Sequence, residues 1–262
     1  MKLLQYVVDA FTSERFKGNS AAVVSLTDWL PPPLMQAIAM ENNLSETAFL
    51  VQSADGRYDI RWFSPFKEID FCGHATLASA HVLFQSGAPS PITFRAPAVG
   101  ELPVVKLPDG RMEMSFPNRR PLPVDEVPKA LREGLPVAPV VVLRNAQAWF
   151  AVFENEAQVR DLRPDFKRLA ELGPLDVTVT APGVSCDFVS RYFWPANGGE
   201  EDPVTGSIHA GLAPYWADRL GKNTLVAVQV SSRTGTLHCR VEGERVHVSG
   251  AAVQFLRGEI EV

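Results

Sequence analysis

The segment Glu68–Phe84, EIDFCGHATLASAHVLF, joins a tight turn to an apolar run and carries a thiol and an imidazole at the turn. The hydrophobic strand pattern of Ile60–Phe63 precedes it, and Cys72-Gly73-His74 interrupts that pattern. The run that follows, Ala75–Phe84, has the composition of a buried helix. We therefore predict a strand, a turn and a helix, with a thiol and an imidazole at the start of the helix.

A related segment occurs about 130 residues later. Arg61-Trp62-Phe63 matches Arg191-Tyr192-Phe193, and the same offset places Asp202 where the first half has Cys72. The helix-like run ATLASAHVLF then corresponds to TGSIHAGLAPYW. Two later blocks repeat in the same order, Gly100-Glu101-Leu102 with Gly235-Thr236-Leu237 and residues 111–115 with 245–249. Coincidence among common strand patterns explains this order poorly, so we predict a duplicated domain.

Chain length and proline content set the expected boundaries of the duplicated halves. The 262 residues allow one large domain or two of about 120–130 residues. Prolines cluster among charged residues between Pro117 and Pro128, which is typical of a linker. We predict one half over residues 1–117, joined by the last strand at about 253–262, and another over 118–252. Neither half alternates strands with helices for long, which favours an α+β fold with mostly antiparallel sheets. Besides the helix after Cys72, helices are predicted near residues 34–42, 164–172 and 205–220.

Composition and charge exclude several classes of protein. The net charge of −5 and the lack of a dense basic patch argue against nucleic-acid binding. No apolar run approaches the roughly 20 residues of a membrane span, and the N-terminus does not resemble a signal peptide. The three widely spaced cysteines favour a reducing cytoplasm, and no Cys/His grouping has the spacing of zinc ligands. We predict a cytoplasmic protein with no metal and no membrane contact.

Duplication also predicts the kind of site. Two related halves are expected to pack with equivalent faces opposed, so that each delivers the start of a helix into a shared cleft. Free backbone N–H groups and the positive end of the helix dipole favour an anion at such a point. The expected ligand is a small carboxylate.

Four motifs resemble those of the PhzF-like family, which is named for an isomerase of phenazine biosynthesis. They are FKGNSAAVV, NLSETAF, FCGHATLASA and EEDPVTGSIHAGL, in this order along most of the chain. The resemblance implies the fold of diaminopimelate epimerase, with two pseudo-symmetric halves that each curve a sheet around a central helix. It also implies a homodimer that needs no metal or organic cofactor. Such a protein isomerises a small molecule by proton transfer.

The resemblance assigns the catalytic roles to Glu46, His74 and Asp202. Glu46 would carry the proton, and apolar neighbours suit that role because desolvation disfavours a charged carboxyl group. The alternative is a solvated Glu at a strand end. His74 would contact substrate and pass or hold a proton, or else be satisfied by a nearby backbone group. Asp202 would hydrogen-bond substrate, cap a helix, or do both.

Further residues are expected to bind the substrate. Gly73 and Gly206 allow close approach of the backbone, and Ser207 matches a family Ser near the substrate. Asn19 either turns the chain or contacts substrate. The predicted substrate-binding residues are Asn19, Gly73, Ala75, Thr76, Thr205, Gly206 and Ser207.

Cys72 leaves a second enzymatic alternative open. In related amino-acid epimerases two facing cysteines act as base and acid, but here the second position holds Asp202. Cys72 is either a small buried apolar residue or a reactive thiolate. The leading hypothesis is a cofactor-independent isomerase of a small carboxylate. The alternatives are a racemase or epimerase that uses Cys72 and a non-catalytic protein that binds a small acid.

Overall fold

The computed structural model describes residues 1–262, and the chain forms two compact units. The first unit contains Met1–Ser115 and Ser249–Val262, and the second contains Phe116–Val248. The C-terminal strand therefore belongs to the same unit as the N-terminal strand. None of the helices is long and apolar enough to cross a membrane.

The first unit is a mixed sheet with two helices. Its strands are β1 (Lys2–Ala10), β2 (Asn19–Leu26), β3 (Glu46–Gln52), β4 (Tyr58–Phe63), β5 (Glu68–Ile69), β6 (Ile92–Ala96), β7 (Gly100–Lys106) and β8 (Met112–Pro117), and its helices are α1 (Pro32–Asn42) and α2 (Gly73–Gln85). The strand β18 (Ala252–Glu261) completes the sheet by pairing antiparallel with β1. From β1 onward the neighbours are β2, β3, β4, β6, β7 and β8.

The second unit has the same plan with more helices. Its strands are β9 (Leu122–Pro123), β10 (Val141–Arg144), β11 (Ala148–Val152), β12 (Asp176–Pro182), β13 (Phe188–Phe193), β14 (Glu201–Asp202), β15 (Thr224–Gln229), β16 (Gly235–Glu242) and β17 (Arg245–Gly250). Its helices are α3 (Lys129–Gly134), α4 (Glu156–Asp161), α5 (Phe166–Ala170) and α6 (His209–Leu220), with a 3₁₀ turn at Pro195–Asn197.

The order of parallel and antiparallel pairs is the same in both units. In the first, β1–β2 is antiparallel, β2–β3 parallel, β3–β4 antiparallel and β4–β6 parallel. In the second, β10–β11, β11–β12, β12–β13 and β13–β15 repeat that order. A two-residue strand also pairs with the equivalent strand in each unit, β5 with β4 and β14 with β13. The matching order of strand pairs confirms the predicted α+β fold with duplicated halves.

A buried helix lies against the sheet of each unit. Ten of the 13 residues of α2 are buried, so this helix is apolar on nearly every side, as a central helix must be. It packs against β1, β2, β3, β7 and β18. In the second unit Trp216 of α6 stacks on Phe188 of β13 and donates from its indole N–H to Thr180 of β12. Gly211 of α6 lies so close to Phe150 of β11 that a Cβ would be 2.7 Å from the ring.

Two sequence predictions need correction. The proline-rich segment predicted as a linker is structured: β9 pairs with β10, and α3 starts directly after Pro128, with both in the second unit. The helix predicted from residue 205 begins at His209, because Gly206, Ser207 and Ile208 form turns whose carbonyls accept 3₁₀-type bonds. Prolines and small polar residues indicate where the chain changes direction. They do not indicate whether a short strand in such a segment, such as β9, pairs with a neighbouring strand.

Candidate active site

Three elements of the first unit begin at one place. Parallel pairing aligns the starts of β2 and β3, with Ala21 beside Glu46. The helix α2 packs on both strands and begins at Gly73. The first residues of these elements therefore converge, which brings Asn19, Glu46 and His74 together although they are distant in sequence.

Glu46 and His74 are in close contact. The Oε2 atom of Glu46 lies 3.0 Å from Nε2 of His74, and the two side chains are 12% and 6% exposed. Ala48, two residues further on the same face of β3, is fully buried. Glu46 is therefore not a solvated residue at a strand end, and the imidazole of His74 has a side-chain neighbour on each side of the ring.

Asn19 fixes the tautomer of His74. Its side-chain amide Nδ2 lies 3.1 Å from Nδ1 of His74 and donates to it. A ring nitrogen that accepts a hydrogen bond carries no proton in the neutral imidazole. We assign the proton to Nε2, the nitrogen 3.0 Å from Glu46. Asn19 thus contacts the candidate proton-transfer pair directly.

The loop before Asn19 is held by local backbone geometry and by a buried acid. Gly18 has φ of +67°, and a Cβ there would lie 2.2 Å from the carbonyl oxygen of Ala10, so only glycine fits. Asp9 is buried, and its carboxylate accepts from Ser20 Oγ and from the backbone N–H of Phe16 at 3.1 Å. These contacts position the start of β2 and hence the amide of Asn19.

Cys72 lies beside the same imidazole. Its Sγ atom is 3.4 Å from Nδ1 and 3.9 Å from Nε2 of His74, and the residue is 6% exposed. It precedes α2 with extended backbone angles, and its side chain makes no capping hydrogen bond. Cys72 is therefore buried, as a small apolar residue would be, yet its sulfur contacts the candidate catalytic histidine.

The start of α2 offers backbone donors next to this cluster. The N–H groups of Gly73, His74 and Ala75 belong to the first turn, where the helix itself supplies no acceptor. Thr76 differs, since its backbone N–H and its hydroxyl both donate to the carbonyl oxygen of Cys72. Thr76 therefore stabilises the helix start, and its polar groups are already engaged.

The turn Asp202–Ser207 in the second unit is fixed by a buried glutamine. Oε1 of Gln229 accepts from the N–H of Thr205 at 2.9 Å, and Nε2 of Gln229 donates to the carbonyl oxygen of Asp202 at 2.7 Å. The hydroxyl of Thr205 donates to the carboxylate of Asp202. Asp202 does not cap α6, whose N-cap position is Ile208 and has no side-chain cap. The start of α6 thus differs from that of α2, because the N–H of Thr205 is already bonded.

Ser207 belongs to a second polar network in the same unit. Its hydroxyl accepts from the side-chain amide of Gln147 at 2.9 Å, and that amide also lies 3.2 Å from the hydroxyl of Tyr192. Tyr192 in turn donates to Asp176 at 2.6 Å. Burial raises the pKa of Asp176, and burial beside that carboxylate raises the pKa of Tyr192 well above its usual value. Gln147, whose side-chain amide is held by Tyr192, therefore orients the hydroxyl of Ser207.

His209, the first residue of α6, is neutral at ordinary pH. It is fully buried, its Nδ1–H donates to the carbonyl oxygen of Thr205 at 2.9 Å, and Phe188 covers its ring. Burial lowers its pKa from 6.5 to about 4. Its role is structural, since it ties the Asp202–Ser207 turn to the helix.

We expect His209 to make the protein acid-sensitive. The unfolded chain binds a proton here below pH 6.5 and the folded chain only below about pH 4, so stability falls as pH drops between these values. The His209→Asn variant keeps an N–H donor but does not titrate. Between about pH 7.5 and about pH 4.5, wild type should lose about 2–3 kcal/mol more of its unfolding free energy than the variant does. Urea unfolding at the two pH values measures this, and equal losses would contradict it.

Three supporting residues have no signal in the sequence that identifies them. Asp9, Gln147 and Gln229 occur singly in strand or turn patterns, where a polar residue is ordinarily solvent-facing. Asp9 bonds to Phe16 and Ser20, which are 7 and 11 residues away, and Gln229 bonds to Thr205, which is 24 residues away. Only the folded chain shows that they orient Asn19, Ser207 and Asp202.

Comparison with known proteins gives a consistent result along the whole chain. The family model described as phenazine biosynthesis-like protein matches residues 8–258. An isomerase of Pseudomonas aeruginosa, named as uncharacterized, is 47% identical and is matched over 100% of both chains. A crystal structure of a PhzF-family phenazine biosynthesis protein from Enterococcus faecalis is 43% identical, with a TM-score of 0.95 over 100% of both chains. A predicted epimerase of Pseudomonas aeruginosa, at 21% identity and a TM-score of 0.76 over 99% of both chains, shares the fold.

Proposed function

Because the chain belongs to the phenazine biosynthesis-like (PhzF) family, we propose that it is a cofactor-independent isomerase of a small carboxylate. The 47% identical relative is itself named an isomerase, which supports the class of reaction. In this proposal Glu46 removes a proton from an activated carbon and returns it to another carbon of the same molecule. The atoms balance within the substrate, and no external oxidant or reductant is consumed.

The contact between Glu46 and His74 carries the proposal. A carboxylate 3.0 Å from an imidazole nitrogen, with both side chains nearly inaccessible, is an arrangement that can hold and move a proton away from water. Burying a carboxylate is costly unless it has partners, and a purely structural site would place an apolar residue here. Proton transfer gives a reason for the burial.

The roles of the neighbouring residues follow from their hydrogen bonds. Asn19 keeps the proton of His74 on Nε2, the ring nitrogen that faces Glu46. His74 then stabilises negative charge on Glu46 or on the substrate as the proton moves. We assign carboxylate binding to the N–H groups of Gly73 and Ala75, where the helix dipole favours an anion.

The second unit is proposed to contribute specificity. Asp202 and Ser207 present polar groups on a turn that Gln229 and Gln147 hold rigid. Rigid support of this kind is what precise substrate positioning requires. Gly206 permits close approach of the ligand, while Thr205 acts mainly through its bond to Asp202.

Exchange in heavy water tests the proposal. Wild type and Glu46→Gln are incubated with a panel of small unsaturated or amino-substituted carboxylic acids, and deuterium incorporation is followed by NMR and mass spectrometry. Wild type should label at least one acid at carbon and convert it to an isomer. An acid that binds tightly but never exchanges would instead identify a non-catalytic binding protein.

The position of Cys72 supports one alternative reaction. Its sulfur lies 3.4 Å from Nδ1 of His74, close enough for a thiol–imidazole pair to act as base in a racemase. The second cysteine of such enzymes is replaced by Asp202, which disfavours this mechanism. The test is the pair of variants Cys72→Ser and Glu46→Gln. If Cys72→Ser lost labelling while Glu46→Gln kept it, racemisation would be favoured. We expect the opposite result, with labelling kept in Cys72→Ser and lost in Glu46→Gln.

A further inference from the structure

The second unit has an acidic residue at the position that Glu46 occupies in the first. In the two parallel strand pairs, Ala21 lies beside Glu46 and Ala148 lies beside Asp176. Both acids are the first residue of their strand, β3 in one unit and β12 in the other. Glu46 faces His74 at 3.0 Å, whereas Asp176 contacts no histidine. The duplicated position therefore keeps an acid but changes its contacts.

Both carboxylate oxygens of Asp176 accept hydrogen bonds. The side-chain amide of Asn197 donates to Oδ1 at 2.8 Å, and the hydroxyl of Tyr192 donates to Oδ2 at 2.6 Å. The phenol of Tyr192 thus uses its only proton on Asp176, and its oxygen is left as an acceptor. In the first unit the equivalent residue is Trp62, whose indole N–H has no hydrogen-bond partner. The fold itself therefore does not require the bond between Tyr192 and Asp176.

This bond determines which way the side-chain amide of Gln147 points. Nε2 of Gln147 lies 3.2 Å from the hydroxyl of Tyr192 and 2.9 Å from that of Ser207. Because the oxygen of Tyr192 can only accept, the amide group that faces it is the NH₂ and not the carbonyl. One N–H of Gln147 then donates to Tyr192 and the other donates to Ser207.

The hydroxyl of Ser207 is left as a donor. Its oxygen accepts from Gln147, so its proton points away from that amide. Ser207 is only partly buried, which leaves the proton accessible to a ligand. A donor held in this direction matches a carboxylate or carbonyl oxygen. An amino group at the same place would set two donors against each other and leave both unpaired.

We propose that Asp176 is a positioning residue that, through Tyr192 and Gln147, fixes the Ser207 hydroxyl as a donor to an oxygen atom of the substrate. Asp176 acts through the other three residues, since both of its oxygens are already bonded. The identity of the acceptor rests on the proposed function, whereas the direction of the hydrogen bonds does not.

Neutron diffraction from crystals exchanged into heavy water tests the direction of these bonds without any activity measurement. The deuterium of Tyr192 should point at Asp176, and the two amide deuteriums of Gln147 should point at Tyr192 and Ser207. The deuterium of Ser207 should point away from Gln147. A deuterium on Asp176, or a Ser207 deuterium that points at Gln147, would overturn the proposal. If no acid were labelled in heavy water, the proposed function would fail while this result would still decide the direction.

A pair of variants tests whether Tyr192 acts through Ser207. Tyr192→Phe and Ser207→Ala should each raise KM for the labelled acid by about tenfold, the effect of losing one well-aligned hydrogen bond. Tyr192→Phe/Ser207→Ala should be no worse than Ser207→Ala, because both changes remove the same contact. Tyr215→Phe, which removes a hydroxyl from α6 in the same unit, should leave KM unchanged. Circular dichroism verifies that each variant is folded. Effects that multiply in the double variant would show that Tyr192 acts independently of Ser207 and would refute the proposal.

Discussion

Glu46→Gln is expected to lower the rate of deuterium incorporation into substrate by two to four orders of magnitude, the range that a positioned general base contributes (about 10²–10⁴-fold). Glutamine has nearly the same shape, but its amide cannot accept and return a proton. Since His74 Nε2 lies 3.0 Å from the Glu46 carboxylate, the amide can occupy the same place without disturbing the fold. The effect should therefore appear in kcat more than in KM.

Glu41→Gln is the matched control for this measurement. Glu41 is an exposed residue of α1 in the same unit, and the substitution makes the same chemical change. Its exchange rate should equal that of wild type, and both variants should unfold at similar urea concentrations. If Glu46→Gln exchanged protons as fast as Glu41→Gln, Glu46 could not be the base.

The sequence predicts the fold well because repeated blocks and runs of apolar residues can be recognised from the order of the residues alone. Matched blocks reveal two related halves, and Asp109-Gly110 marks the turn that joins β7 to β8. The helix α2 is predicted at residues 75–84 and observed at Gly73–Gln85, because a continuous run of small apolar residues follows the turn at Gly73. The short strands β5, β9 and β14 are missed because two residues carry no periodic pattern.

The site is less predictable from residue types alone. Motif resemblance singles out Glu46, His74 and Asp202, but their roles stay predictions, as do the homodimer and the cytoplasmic location. The proximity of Cys72 and Asn19 to one imidazole depends on which strand ends lie beside the start of α2. Strand pairing is set by contacts distant in sequence, so no local pattern contains it. For the same reason, the sequence does not reveal that Gln229 and Gln147 hold Asp202 and Ser207 in place.

Each unit contains an arginine–glutamate ion pair at an equivalent position, and the two pairs differ in burial. Arg61 forms two hydrogen bonds with Glu68 and lies over the ring of Phe63. Arg191 repeats this with Glu201 and Phe193, and its guanidinium also donates to the carbonyl oxygens of residues 159 and 162. Side-chain exposure is 23% and 42% in the first pair and 10% and 21% in the second. The second pair is therefore less exposed to water than the first, and its arginine makes two additional hydrogen bonds to the backbone.

We expect Arg191→Met to destabilise the protein by about 3–5 kcal/mol, because it leaves the largely buried carboxylate of Glu201 without its partner and removes two hydrogen bonds to backbone carbonyl oxygens. Arg61→Met, the matched control, should cost less than about 1 kcal/mol, since water can replace a partly exposed pair. Urea unfolding measures both. Equal losses would show that burial does not distinguish the pairs.

A second replacement separates the ion pair from the carbonyl contacts. In Arg191→Met/Glu201→Leu no carboxylate is stranded, so the double variant should regain part of the stability that Arg191→Met loses. The hydrogen bonds from Arg191 to the carbonyl oxygens of residues 159 and 162 stay lost and account for the rest. Because Glu201 directly precedes Asp202 in β14, we also expect Arg191→Met to raise KM for the substrate, whereas Arg61→Met leaves it unchanged. If the double variant were no more stable than Arg191→Met, the lost carbonyl bonds alone would explain the destabilisation, and Arg191 would anchor α4 and its C-terminal end rather than the turn that carries Asp202.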